Sequence, residues 1–173
     1  PSFPGAETFK GQSYHSARWP RDGVSMKGKR VAVIGTGASG VQIIQEASRE
    51  AEHLTVYQRT PNLALPMGQE KYTREEYEKL KAMFPPVMER TKQTFAGFAY
   101  DLIYKPWNEM SADERQKIMR FNWDQKGFTF WLAAPADLFF DEECNRAHYN
   151  FWRDETRKLI KKEHLIEVLA PTE

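Results

Sequence analysis

The sequence predicts an α/β chain, with a parallel β-α-β unit in its first third and a mostly helical region after it. Three observations predict this. A β-branched run, Lys29–Ile34, ends at Gly35; helical apolar spacing follows over residues 38–51; a second short apolar run, Leu54–Tyr57, closes the unit. Past residue 68 strand signals give way to capping boxes and dense aromatics. With 173 residues, 40% of them hydrophobic, the chain has the material for a buried core. Its 25 Lys+Arg against 24 Asp+Glu give no electrostatic reason to expect nucleic acid or an anionic membrane as partner. No apolar run approaches the roughly 18–20 residues of a membrane helix, and no signal peptide opens the chain. A single cysteine, Cys144, rules out an internal disulfide framework and a multi-cysteine zinc site, and no metal is expected. These features predict a cytoplasmic protein. The absence of an initiator Met before Pro1, and the Ala170-Pro171-Thr172-Glu173 ending, read as connecting segments of a longer chain.

Residues 1–28, rich in Pro, Gly and polar groups with Phe9, Tyr14 and Trp19 among them, predict an irregular linker. Lys29–Ile34 predicts a buried strand. Val41, Ile44, Ala47 and Ala51 then share one face of a helix. Residues 29–67 thus make the first half of a dinucleotide-binding domain of Rossmann type, and 68–173 a helical insertion. In the insertion, Thr73-Arg74-Glu75-Glu76 caps a helix carrying Tyr77, Leu80 and Phe84 on one face, stopped by Pro85-Pro86. Ser111-Ala112-Asp113-Glu114 caps a second helix reaching about Phe121. Asp141 caps a third and longer one, with Cys144, Ala147, Phe151 and Leu159 inward. Fifteen of the 23 aromatic residues lie between Phe95 and Trp152, which predicts a compact unit with an aromatic core. Leu165–Leu169 reads as a short strand or connector.

Gly35-Thr36-Gly37-Ala38-Ser39-Gly40 fits G-x-G-x-x-G between a predicted strand and a predicted helix, the context that supports dinucleotide binding. Gly35 serves the tight turn, Gly37 the approach of a pyrophosphate, and Gly40 the close packing of helix on strand. The helix start offers free N–H groups and the positive end of its dipole. The expected cofactor-binding residues are these six, Gln42 just inside the helix, and Arg59 and Thr60 after the second strand. Where a ribose-binding carboxylate usually stands, the chain has Gln58-Arg59-Thr60, with Arg59 24 residues after Gly35. A guanidinium pairs with a 2′-phosphate that a carboxylate would repel. Such a charged hydrogen bond is worth roughly 1.5–3 kcal/mol, about ten- to hundredfold in affinity, which predicts NADPH over NADH.

Upstream, Phe9, Gly11, His15, Trp19 and Pro20 match F-x-G-x-x-x-H-x-x-x-W-(P/D), and Pro1–Gly5 resembles the P-x-x-P-G that leads into it. With the glycine motif at its proper distance, the chain resembles the type I Baeyer–Villiger monooxygenases, class B flavoprotein enzymes. The stretch from Gly127 to Ile160 resembles the family's helical insertion. The resemblance implies an enzyme using FAD, NADPH and O₂ to insert one oxygen beside a ketone carbonyl, giving an ester or lactone. It implies that most of the FAD site, and the arginine beside the flavin, lie outside this chain, so that the segment by itself is inactive. It implies for His15 a linker or gating role without contact to the ketone. Related enzymes that oxygenate N or S, and a non-catalytic NADPH-binding module, are the alternatives. Trp19 is expected as a packing anchor, Cys144 as core, His53, His148 and His164 as surface or packing residues, and Arg157, Lys158, Lys161 and Lys162 as a solvated helix face.

Overall fold

The structure, a computed structural model, describes residues 3–172; Pro1 and Ser2 of the expected lead-in, and Glu173, lie outside the described residues. The chain divides into two compact units, Pro1–Asn62 and Leu63–Glu173.

In the first unit β1 (Arg30–Ile34) and β2 (His53–Tyr57) pair in parallel, with Arg30 opposite His53 and Ile34 opposite Tyr57. The crossover between them is α1 (Ala38–Glu50). Short loops tie its ends: Gly28 N–H donates to Glu50 O, and Glu52 N–H to Lys29 O. Val33 and Ala47 are buried where β1 meets α1, and Val31, Leu54 and Ile44 are half-buried. The expectation of a buried strand is met only in part. Arg30, Ala32 and Ile34 alternate outward, Ile34 being 66% exposed. An apolar strand is fully buried only where both faces are covered, and α1 packs on one. The segment before β1 is irregular as predicted, with single 3-10 turns at Ala6–Thr8 and Ser16–Arg18.

The second unit is helical: α2 (Arg74–Lys81), α3 (Phe84–Thr91), α4 (Ala112–Asp124), α5 (Thr129–Leu132), α6 (Glu142–Leu159) and α7 (Ile166–Leu169). Both predicted capping boxes form. Glu76 N–H donates to Thr73 Oγ1 at 3.3 Å, and Thr73 N–H donates back to Glu76 Oε2 at 2.7 Å. The Ser111–Glu114 pair repeats this at 3.2 and 2.8 Å, and the Ser111 backbone, then Lys105, hold the Glu114 carboxyl down at about 2. Asp141 Oδ1 accepts Cys144 N–H at 2.7 Å and starts α6.

The core gathers Trp152, Phe130, Cys144, Trp107 and Met119, with Phe130 in edge-on contact with Trp131 (4.7 Å) and stacked on Phe151 (5.6 Å). The aromatic core is therefore as predicted, but the α6 face is turned. Cys144, His148 and Trp152, spaced by four, are fully buried; Ala147 and Phe151 are half-buried; Leu159, at the helix end, is 62% exposed. Trp152 Nε1 donates to Ala64 O at 2.9 Å and Gly127 N–H to Pro66 O at 2.8 Å, so residues just after Asn62 are held by this unit. Pro85-Pro86 do not end a helix: α2 ends at Lys81, and the prolines sit in the first turn of α3, where a missing N–H costs nothing. Leu165–Leu169 is not a strand; with no strand beside it, the segment coils into a 3-10 turn at Glu163–Leu165 and then α7. Arg157 is not a solvated residue either, since its Nε donates to Ala170 O at 2.9 Å and its Nη2 pairs with Glu167 at 2.5 Å.

Candidate functional site

The glycine-rich turn runs from the end of β1 into α1, and each glycine meets a different constraint. Gly35 has φ 96°, a left-handed backbone that disfavours a side chain, and its N–H donates to Tyr57 O at 2.8 Å. A Cβ on Gly40 would lie 2.3 Å from Gly35 O, so the helix approaches the turn closely only with glycine there. Gly37, at the N-cap, is the opposite case. Its backbone (φ −67°, ψ 177°) suits any residue, and a Cβ would meet nothing within 4 Å. The space beside it is open. The first intrahelical bond is Val41 N–H to Gly37 O at 2.9 Å, and the N–H groups of Gly37, Ala38, Ser39 and Gly40 have no acceptor among the described residues. Several unpaired donors and a helix dipole around open space form a seat for an anion.

The second half of the motif lies beside the first. Thr36 Oγ1 donates to Thr60 O at 3.0 Å, and Asn62 Nδ2 donates to Thr36 O at 2.5 Å. With the Gly35–Tyr57 bond, these contacts hold the turn against residues 57–62. Arg59 and Thr60 are exposed there, and Arg59 has no hydrogen bond or ion pair among the described residues. Sequence reasoning missed Asn62, since no motif marks an asparagine two residues after the threonine.

Ser39 and Gln42 look the other way. With Ile43 and Glu46 they line one wall of an open groove of about 380 Å³ whose other wall is Ser16, Trp19 and Met26. The structure thus joins the fingerprint segment to α1, and Lys29 Nζ donates to Gln12 Oε1 at 3.1 Å to fix the segment to the start of β1. At Gly11 a Cβ would stand 2.6 Å from the Phe9 ring, whose exposed side chain would have to turn aside. His15 is exposed and caps the Ser16–Arg18 turn, its Nδ1 accepting Ala17 N–H at 3.2 Å, which in the neutral ring leaves the proton on Nε2. Trp19 is 38% exposed and packs against Tyr14 with ring centroids 6.0 Å apart. His15 therefore stands apart from the glycine turn's contacts with residues 57–62.

Cys144 is excluded as a nucleophile. Burial, and then Asp137 and Asp141, push its thiol up to about 12. His148, four residues on, is buried with its Nδ1 2.9 Å from Cys144 O, and burial lowers its pKa.

A family described as flavin-binding monooxygenase-like matches residues 1–72, the stretch holding the fingerprint and the glycine turn. Among the chain's relatives, cyclopentanone 1,2-monooxygenase of Comamonas sp. (strain NCIMB 9872) is 51% identical over 99% of this chain and 31% of its own length. Acetone monooxygenase (methyl acetate-forming) of Gordonia sp. (strain TY-5) is 34% identical, again over 99% of this chain and 32% of its own. A crystal structure of OTEMO complexed with FAD and NADP matches with a TM-score of 0.88 and 36% identity, over 99% of this chain and 33% of that one. The flavin monooxygenase resemblance read from Phe9–Pro20 and Gly35–Gly40 holds over the chain's whole length, helical region included. The chain spans about one third of the length of the relatives it matches.

Proposed function

We propose that this chain forms the NADPH-binding part of an FAD- and NADPH-dependent Baeyer–Villiger monooxygenase. In the whole protein the reaction inserts one oxygen atom of O₂ next to a ketone carbonyl and yields an ester or lactone, and we place that protein in the cytoplasm. Among the described residues no helix is long and apolar enough to cross a membrane. The reading of this segment is carried by one observation: open space at Gly37, ringed by unpaired N–H groups, with exposed Arg59 and Thr60 held beside it.

The residues fit the cofactor. Gly37 leaves a cradle that a Cβ would enter, and the start of α1 supplies donors for a pyrophosphate. Arg59 supplies a guanidinium and Thr60 a hydroxyl for a 2′-phosphate. NADPH, when bound, supplies the hydride that reduces the flavin. The chain's own residues bind and orient it: the turn fixes the pyrophosphate, and Arg59 sets the choice between NADPH and NADH. His15 acts from the linker, joining nucleotide-binding parts without touching the ketone.

The test is calorimetric titration of NADPH and NADH into the protein and its Arg59→Ala variant. Loss of one charged hydrogen bond predicts about ten- to hundredfold weaker NADPH binding with NADH little changed. A variant that keeps its preference for NADPH refutes the assignment of Arg59.

A further inference from the structure

The Thr36–Gly37 peptide is the loosest link of the glycine turn. It has a glycine on its C-terminal side and another, Gly35, one residue before, so few side-chain clashes oppose a flip of its plane. In the structure the plane is held by two contacts. Asn62 Nδ2 donates to the peptide's carbonyl, Thr36 O, at 2.5 Å, and the Thr36 hydroxyl donates to Thr60 O at 3.0 Å. Asn62 is half-buried, so its amide competes less with water for that carbonyl than an exposed one would. No peptide bond among the described residues is cis. In a trans peptide the N–H points opposite to the C=O. A carbonyl drawn toward Asn62 therefore turns the Gly37 N–H away from residues 60–62, and that N–H has no acceptor among the described residues.

We propose that Asn62 is a positioning residue for the cofactor site: by holding Thr36 O it fixes the Thr36–Gly37 peptide plane and so aims the Gly37 N–H at the bound anion. The inference rests on the NADPH reading above and adds a residue that the glycine motif does not contain. It also accounts for how two sequence signals 24 residues apart act as one site, since Asn62 ties the pyrophosphate seat to the segment bearing Arg59.

The experiment titrates NADP⁺ and adenosine 2′-monophosphate, which lacks the pyrophosphate, into the protein and the Asn62→Ala, Asn62→Asp and Arg59→Ala variants. Loss of one hydrogen bond that preorganises the turn predicts NADP⁺ binding about three- to tenfold weaker in Asn62→Ala. Asn62→Asp, which sets an acceptor against the carbonyl, is to fall at least as far. The 2′-monophosphate, held by residues 59–60, is to change less than about twofold in Asn62→Ala. Arg59→Ala is to weaken both ligands. If Asn62→Ala binds NADP⁺ as the parent does while Arg59→Ala loses it, the positioning role is overturned and the NADPH reading stands. Equal losses of both ligands in the Asn62 variants also overturn it, because a general collapse of the site explains them. If the parent protein binds neither ligand, both readings fail. Circular dichroism checks each fold. Should Asn62→Ala not fold, Thr36→Val removes the second contact at constant shape and is to show the same split between ligands, with Thr36→Ser restoring NADP⁺ binding.

Discussion

Gly37 and Gly40 stand three residues apart in one motif, yet alanine at each is expected to do opposite things. At Gly40 the new methyl would sit 2.3 Å from Gly35 O, roughly 1 Å inside ordinary contact, and the obstacle is backbone that no rotamer change relieves. Overpacking of this kind costs about 1–3 kcal/mol or more. Alanine's better helix propensity returns up to about 1 kcal/mol. Relief means moving α1 off the turn or tilting Gly35, whose N–H holds Tyr57 O. The net loss of about 1–2 kcal/mol corresponds to a melting temperature lower by roughly 5–15 °C for a unit of this size.

At Gly37 the methyl meets nothing within 4 Å and the backbone already suits alanine. Reduced freedom of the unfolded chain offers about 0.4–1 kcal/mol, offset in part by alanine's weakness at a helix N-cap. The folded protein is therefore expected to melt within a few degrees of the parent. On the proposed NADPH reading the methyl would stand where the pyrophosphate approaches, and NADPH binding is expected to fall by about tenfold or more. Thermal unfolding followed by circular dichroism, beside NADPH titration, reads both quantities. A Gly40→Ala protein that melts with the parent, or a Gly37→Ala protein that binds NADPH normally, refutes the division of labour between the two glycines.

Two further predictions concern the helical unit. Cys144, buried with its thiol pushed up to about 12, is expected to resist iodoacetamide at pH 8 in the folded protein and to react once denaturant opens the core. Mass spectrometry reads the adduct, and rapid labelling without denaturant counts against the packing described. His148 is held neutral, since burial lowers its pKa below the ordinary 6.5. The unfolded chain then binds the extra proton more readily than the folded one. The histidine's contribution is complete above about pH 6.5 and is lost as pH falls toward its lower folded value. In His148→Phe the slope of stability against pH below 6.5 is expected to flatten, as measured by urea unfolding at a series of pH values; an unchanged slope refutes the role of His148.

How far the sequence showed the fold depended on whether a signal was local. Thr73–Glu76 and Ser111–Glu114 are readable because a capping box closes within four residues, and both form. The β-α-β unit is readable because the apolar period changes from strand to helix and back within thirty residues. The inward face of α6 is legible only in part. Apolar spacing marks Cys144, which is buried, and Ala147 and Phe151, which pack half-buried against the core, but it does not mark His148 and Trp152 at its centre, because their rings carry polar edges. Trp152 finds Ala64 O, and no local pattern announces a bond across 88 residues. Pro85-Pro86 mislead for a related reason: proline marks a discontinuity, and only the surrounding turns decide whether a helix ends there or begins.

The candidate site divides along the same line. Gly35, Gly37 and Gly40 are visible in sequence because what they supply is the absence of a side chain, and a missing Cβ has meaning at fixed spacing. Arg59 is visible because charge at the end of β2 has few chemical readings. Asn62 is not visible, because an amide is informative only once its partner is known, and Thr36 O lies 26 residues back. Motifs record the steric demands of the cofactor; the bonds that hold the motif's halves in register are ordinary polar residues. A glycine turn transplanted with its six residues alone would therefore keep the open seat at Gly37 but lose the contact that orients the Thr36–Gly37 peptide. Weak cofactor binding in such a graft, recovered when the segment through Asn62 is carried with it, follows from the same geometry.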